Sequence, residues 1–337
     1  MITIGRQNGA RSAALVCWAE QAAHRVQLME DNGWNQLDTV RLILASIVAV
    51  DHAVGIFVSP FDLVGSQISD ALSQAAEVAV ELFFLTSGLV IGRSLIGKSH
   101  YGDALFLVFM TRRIARIYPP LLFSVLLTVA MALILRALGL DRYHGTAQAL
   151  TRDSFSYLDN LRDVGRALLT FGFRGGLTGS SNGPLWSLAL EMQAYVVVGL
   201  LAQAFYSKRI WMAILCLIGL AFAIRAREGG PLNELSVICF GLFALGVLLN
   251  IAKPSFPKLL PPIPIDFSYS LYILHFPTML FIFFLTCQEE VSAAKAWLLV
   301  SVSLIVAFAM SVLSGIFIER HRGPRLRLEI RKEALKH

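Results

Sequence analysis

Runs of about twenty apolar residues recur along almost the whole chain, and no other feature restricts its fold so tightly. A bilayer core of ~30 Å is crossed by ~20 apolar residues in helical form. Eight segments qualify: 40–60, 76–97, 118–139, 184–206, 210–225, 234–251, 267–287 and 295–318. Lipid offers no partner to an open backbone N–H or C=O, so such segments are expected to be helices. The expected fold is therefore all-α, a polytopic transmembrane bundle of about eight spans over residues 37–320. It is flanked by an N-terminal segment (1–36) and a basic tail (321–337), both expected to be cytoplasmic.

Composition agrees and excludes alternatives. Only 15% of the 337 residues are charged and 56% are hydrophobic, whereas soluble domains carry roughly 25% charged residues. The deficit runs throughout, so no sizeable soluble domain is hidden in the chain. The net charge of +6 fits Lys- and Arg-rich cytoplasmic loops, and no nucleic-acid partner is expected. Cys17, Cys216, Cys239 and Cys287 lack metal-ligand spacing, so neither a metal site nor a disulfide framework is expected. The first thirty residues lack a signal-peptide core, which leaves the first span as the targeting signal. Ser12 to Asp31 reads as a short surface helix.

Orientation follows from charge asymmetry in the connections. Arg6, Arg11 and Arg25 precede the first span, and no Lys or Arg lies between Ser59 and Asp70. The next loop holds Lys98, Arg112, Arg113 and Arg116. Lys208 and Arg209, Lys253 and Lys258, and the stretch from Arg320 onward fall on the same side, while Glu289 and Glu290 fall on the other. Arg225 and Arg227 are the exception. Both termini are thus expected in the cytoplasm, and a bacterial inner membrane is the expected location. The long connection 141–183 reads as an amphipathic outer-face helix with re-entrant pieces.

Ionisable groups at membrane depth are costly and mark function. Arg41 and His52 lie eleven residues apart, nearly a whole number of turns, so they share a face about 16 Å apart along the axis. This places Arg41 at the cytoplasmic boundary and His52 near mid-membrane. Glu81 precedes Phe83-Phe84, with Ser87 and Gly88 following. Arg113 and Arg116 read either as a positive-inside loop or as a phosphate clamp, since guanidinium forks suit phosphate oxygens. Asn182-Gly183-Pro184 opens a helix on which Trp186 is followed by Ser187, Glu191 and Tyr195, the last three in four-residue steps on one face. That start, taken at the outer surface, puts Glu191 about two turns inside the membrane. Ser268, Tyr272 and His275 share a face of the seventh segment, beside Tyr269.

Together these residues resemble one family, the membrane-bound acyltransferase-3 proteins, which O-acylate surface polysaccharides, lipopolysaccharide, glucans and related sugars. The matching elements are Leu37-Asp38 with Arg41 and His52, Glu81-Leu82-Phe83-Phe84 with Ser87-Gly88, and Arg113 with Arg116. Pro184-Leu185-Trp186-Ser187 with Glu191, and Ser268-Tyr269-Ser270-Leu271-Tyr272 with His275, complete them. The family's Asp-Gly-Leu-Arg-Gly opening is Asp38-Thr39-Val40-Arg41-Leu42 here. About ten spans are common in the family, and the lack of an SGNH-type esterase domain resembles its stand-alone members.

The resemblance implies an O-acyltransferase of surface carbohydrates with acyl-CoA, acetyl-CoA in the first instance, as donor substrate and no tightly bound cofactor. Its partners are then acyl-CoA, a carbohydrate or lipid-linked glycan acceptor, and membrane lipid. His52 suits a general base near neutrality, with a covalent acyl-histidine as the alternative. Glu191 is expected to orient the imidazole, as a carboxylate does in a triad. Arg113 and Arg116, helped by Arg41, are expected to hold the CoA phosphates. Glu81, Ser87, Trp186, Ser187, Tyr269, Tyr272 and His275 are expected to support substrate or structure. A transporter or flippase of a lipid-linked sugar is the competing reading, because it too places Arg, His and Glu in the membrane.

Overall fold

The computed structural model describes residues 36–96, 99–143, 155, 182–208, 211, 214, 234–252, 260–261, 267–287 and 291–319. The expected surface helix before residue 32, the span at 210–225, most of the 141–183 connection and the basic tail lie outside them. Every regular element among the described residues is helical. They are α1 (Gln36–Phe61), α2 (Ser66–Leu95), α3 (Leu105–Ala137), α4 (Leu185–Ser207), α5 (Glu234–Leu249), α6 (Ser268–Thr286) and α7 (Ala293–Ser314). The last continues through a π turn, Gly315–Glu319.

All but α5 are long and apolar enough to cross a bilayer. The 16 residues of α5 reach about 24 Å, short of a full crossing. The protein is an all-α polytopic helical bundle.

Polarity is distributed inside out. Leu107, Leu122, Leu126 and Leu133 of α3, Val237, Ile238, Leu245 and Leu248 of α5, and Val302, Ile305 and Leu313 of α7 are exposed. Arg41, Ser87, Ser124, Asn182, Ser187, Glu191, Asn250 and His275 are buried. Lipid rewards exposed apolar side chains, and it leaves polar groups only the bundle interior.

Two contacts fix the helix register. Between α2 and α5 the backbones nearly touch. A Cβ on Gly88 would lie 2.1 Å from the carbonyl oxygen of Phe243, and one on Gly246 would lie 2.3 Å from that of Leu85. Only glycine allows this approach. Asn250 tightens it by donating to the Leu89 carbonyl at 2.8 Å. In α6, Pro277 has no N–H to give the carbonyl of Ile273. That carbonyl accepts from Ser124 of α3 at 2.7 Å and from Asn182 at 2.8 Å. One proline thus ties α3, α6 and the turn leading into α4 together.

The basic stretch between the second and third expected spans is not a loop. Thr111 to Pro119 belongs to α3, which begins at Leu105 and continues through Pro119 and Pro120. Arg113 and Arg116 are therefore one helical turn apart on a rigid element.

Candidate active site

At one end of the bundle α1, α2, α3, α4 and α6 enclose a cleft of about 410 Å³, counting its open mouth. Arg41, Arg113, Arg116, Glu191, Tyr195 and Tyr269 line it, with Ser87. The guanidinium groups step inward: Arg116 is exposed, Arg113 half-buried and Arg41 buried. The two inner guanidiniums pack on aromatic rings. Arg113 lies over the Phe109 ring at 5.4 Å. Arg41 lies over Phe83 at 4.7 Å and donates to Ser87 Oγ at 3.3 Å.

The carboxylate lining the cleft is Glu191. It accepts from Tyr195 Oη at 2.5 Å and sits 4.0 Å from Arg41. Among the described residues that line it, three cations stand against one anion, a positive balance. Nε of both Arg41 and Arg113 is buried without a hydrogen-bond partner. Buried donors of this kind carry a desolvation cost that an anionic ligand would relieve.

Deeper in the bundle lies a polar tier. Ser187 Oγ and Tyr272 Oη are 2.6 Å apart, and both lie within reach of the Pro184 carbonyl. Asn182 donates to Ser124 Oγ at 3.0 Å. The Tyr272 ring packs between Phe83 and His275.

Beyond this tier the two membrane histidines meet. His52 Nδ1 and His275 Nε2 are 2.8 Å apart, and His275 Nδ1 donates to the Leu271 carbonyl at 2.8 Å. The imidazole planes differ by only 9° with centroids 5.1 Å apart. That is the separation of two coplanar rings joined edge to edge through their nitrogens, because face-stacked rings cannot bring ring atoms to 2.8 Å. Phe276 meets His52 edge-on at 5.0 Å. His275 is wholly buried and His52 half-buried. Along α1 the pair stands about 16 Å from Arg41.

The family model for an acyltransferase domain, of the acyltransferase-3 type, matches residues 34–226. The chain belongs to the acyltransferase-3 family. An O-acetyl transferase of Shigella phage Sf6 is 26% identical over 183 residues, which are 54% of this chain and 50% of that protein. The chain thus spans about half the length of the curated relative it matches. No solved structure matches. The family match contains Arg41, His52, Arg113, Arg116 and Glu191, while α5 to α7, and with them His275, lie beyond it.

Set against this acyltransferase family, the structure gathers Arg41, Arg113 and Arg116 in one cleft and adds Ser87, Glu191 and Tyr269 to its wall. It does not join Glu191 to His52. The reason is the depth at which α4 begins. Asn182 bonds Ser124, eleven residues along α3 from Arg113, and also the Ile273 carbonyl. The turn before α4 is therefore inside the bundle, and Glu191 descends to the level of Arg41.

His52 instead meets His275, expected only as support. Both residues stood out in the sequence as buried-span histidines; their pairing required the relative depths of α1 and α6. Ser187 and Tyr272, also expected as support, face one another between cleft and histidines. Trp186 packs against the core of the cleft half. Tyr269 donates to the Ile117 carbonyl at 3.2 Å. Glu81 lies half-buried beside Cys239 of α5.

Proposed function

We propose that this protein is a membrane O-acyltransferase that moves an acyl group, acetyl in the first instance, from acyl-CoA to a hydroxyl of a surface polysaccharide, lipopolysaccharide or other glycan. Family membership and the name of the phage relative support the reaction class. The observation that carries the donor is the stepped set of Arg116, Arg113 and Arg41 around a net-positive cleft, about 16 Å below a histidine pair. Phosphates at the guanidinium end and a thioester reaching inward to the imidazoles would use both features, with no cofactor beyond the acyl-CoA itself.

In the reaction the acceptor oxygen bonds to the thioester carbonyl carbon as His52 takes the hydroxyl proton. The oxyanion then collapses, the C–S bond breaks, and the proton passes from His52 to the departing thiolate to give the free thiol. Tyr272 and Ser187, adjoining the pair, would turn their hydroxyls from the Pro184 carbonyl toward the developing oxyanion.

The Arg-rich end then faces the cytoplasm, where acyl-CoA resides, in a bacterial inner membrane. Purified protein with radiolabelled acetyl-CoA and candidate glycans tests the reaction. Transfer of label to glycan supports it. Donor neither bound nor cleaved, alongside movement of a lipid-linked sugar between leaflets, would make the protein a flippase. Cysteines placed singly at Ser66 and Ser99 in a cysteine-free background test orientation. Ser66 should react with an impermeant reagent in intact cells and Ser99 should not.

A further inference from the structure

We infer that His275 is a positioning residue for the acyl transfer proposed above, fixing the proton of His52 on Nδ1 through a neutral histidine–histidine pair where a carboxylate usually serves. The chain of hydrogen bonds sets the direction. The Leu271 carbonyl can only accept, so His275 Nδ1 carries the proton in their 2.8 Å bond. His275 is 0% exposed, and its polar partners are the Leu271 and Tyr272 backbone and His52. A second proton would put an unneutralised cation in a dry interior. His275 Nε2 is therefore an acceptor, and the 2.8 Å contact to His52 must be donated by His52 Nδ1. This leaves Nε2 of His52 as the unprotonated nitrogen, the one that takes a hydroxyl proton or attacks a carbonyl.

Asp51 and Glu191 are held by other groups. Asp51 accepts from Ser73 at 3.1 Å on another face of α1, and Glu191 is held by Tyr195 and Arg41. The near-coplanar rings and the edge of Phe276 hold His52 in the orientation this bond needs. Because the supporting group is neutral, it sets tautomer and direction without adding charge behind the base.

Histidine-selective ¹⁵N labelling of the full chain in lipid nanodiscs tests the proton position, with the His52 signals assigned by their loss in His52→Gln. Nδ1–H is expected for His52 in the wild type, with a shift toward Nε2–H in His275→Asn, which keeps a donor for Leu271 and loses the acceptor at Nε2. Nε2–H in the wild type, or no shift in His275→Asn, would overturn the inference.

Turnover is read as free CoA released from acetyl-CoA. His275→Asn should lower kcat by ~10²-fold with KM for the donor unchanged. His275→Gln, whose amide oxygen can occupy the acceptor position, should recover at least ~10-fold of that loss. Equal loss in both variants would make the residue structural or a proton carrier and overturn the positioning role. Normal kcat in His275→Asn beside an inactive His52→Ala would sink this inference alone, whereas normal turnover in His52→Ala would sink the base reading beneath it.

Discussion

The Arg-rich cleft and the histidine pair use polar groups inside the same bundle in opposite ways. In the cleft, three guanidiniums and one carboxylate line the wall among the described residues, and two buried Nε donors have no hydrogen-bond partner. At the histidines the hydrogen bonds run from ring to ring to carbonyl, and the deepest ring is sealed. The first arrangement, on the proposed function, would receive the donor's phosphates. The second, on the inference drawn above, would set the direction of one proton. In the proposed reaction, binding and chemistry would be separated along the bundle axis, with the Ser187–Tyr272 contact between them.

Removing the imidazole gives the largest expected effect. His52→Ala should lower acyl transfer by at least ~10²-fold while acetyl-CoA binding persists. Label transfer and donor binding, measured in parallel on monodisperse protein, check both halves. Parallel loss of binding would erase the separation between the two regions.

Next is Arg113→Gln with Arg116→Gln, expected to raise KM for the donor by about 10-fold and leave kcat within a few-fold. Partly exposed phosphate pairs are screened by salt, so the wild-type KM should climb with ionic strength and the variant's should climb less. An unchanged KM would make these arginines markers of topology only.

Glu191→Gln is expected to act on the cleft, because its carboxylate sits with Tyr195 and Arg41. A shift in KM with kcat within a few-fold would sharpen the division. A fall in kcat alone would return Glu191 to the imidazole.

The smallest effect on chemistry belongs to Gly88→Ala, which drives α2 from α5 because its Cβ would lie 2.1 Å from a backbone oxygen. Overpacking typically costs about 1–3 kcal/mol. Thermal unfolding in detergent should show reduced stability, with KM near normal in the fraction that stays folded.

Much of this was legible in the sequence because membrane insertion imposes simple rules. Apolar runs long enough to cross a bilayer had to be helices, and Arg41, His52, Glu191 and His275 stood out because lipid penalises them. The eleven-residue step from Arg41 to His52 already sets two levels about 16 Å apart. Helix ends were less legible. Arg112, Arg113 and Arg116 look like a loop by charge, yet α3 incorporates them, since α-helical hydrogen bonding continues past the apolar stretch wherever neighbours support it.

What tertiary structure alone decided was which polar groups meet. Pattern within one helix orders residues along its axis and around its face, but it carries nothing about the relative depth of two helices. That depth comes from the Asn182–Ile273 bond freed by Pro277 and from the glycine contact of α2 with α5. Starting α4 inside the bundle moved Glu191 from His52 to Arg41, and the parallel rise of α1 and α6 brought His275 to His52. Sequence determined that costly groups would be buried; packing determined their partners, because only contacts between helices set one helix's height against another's.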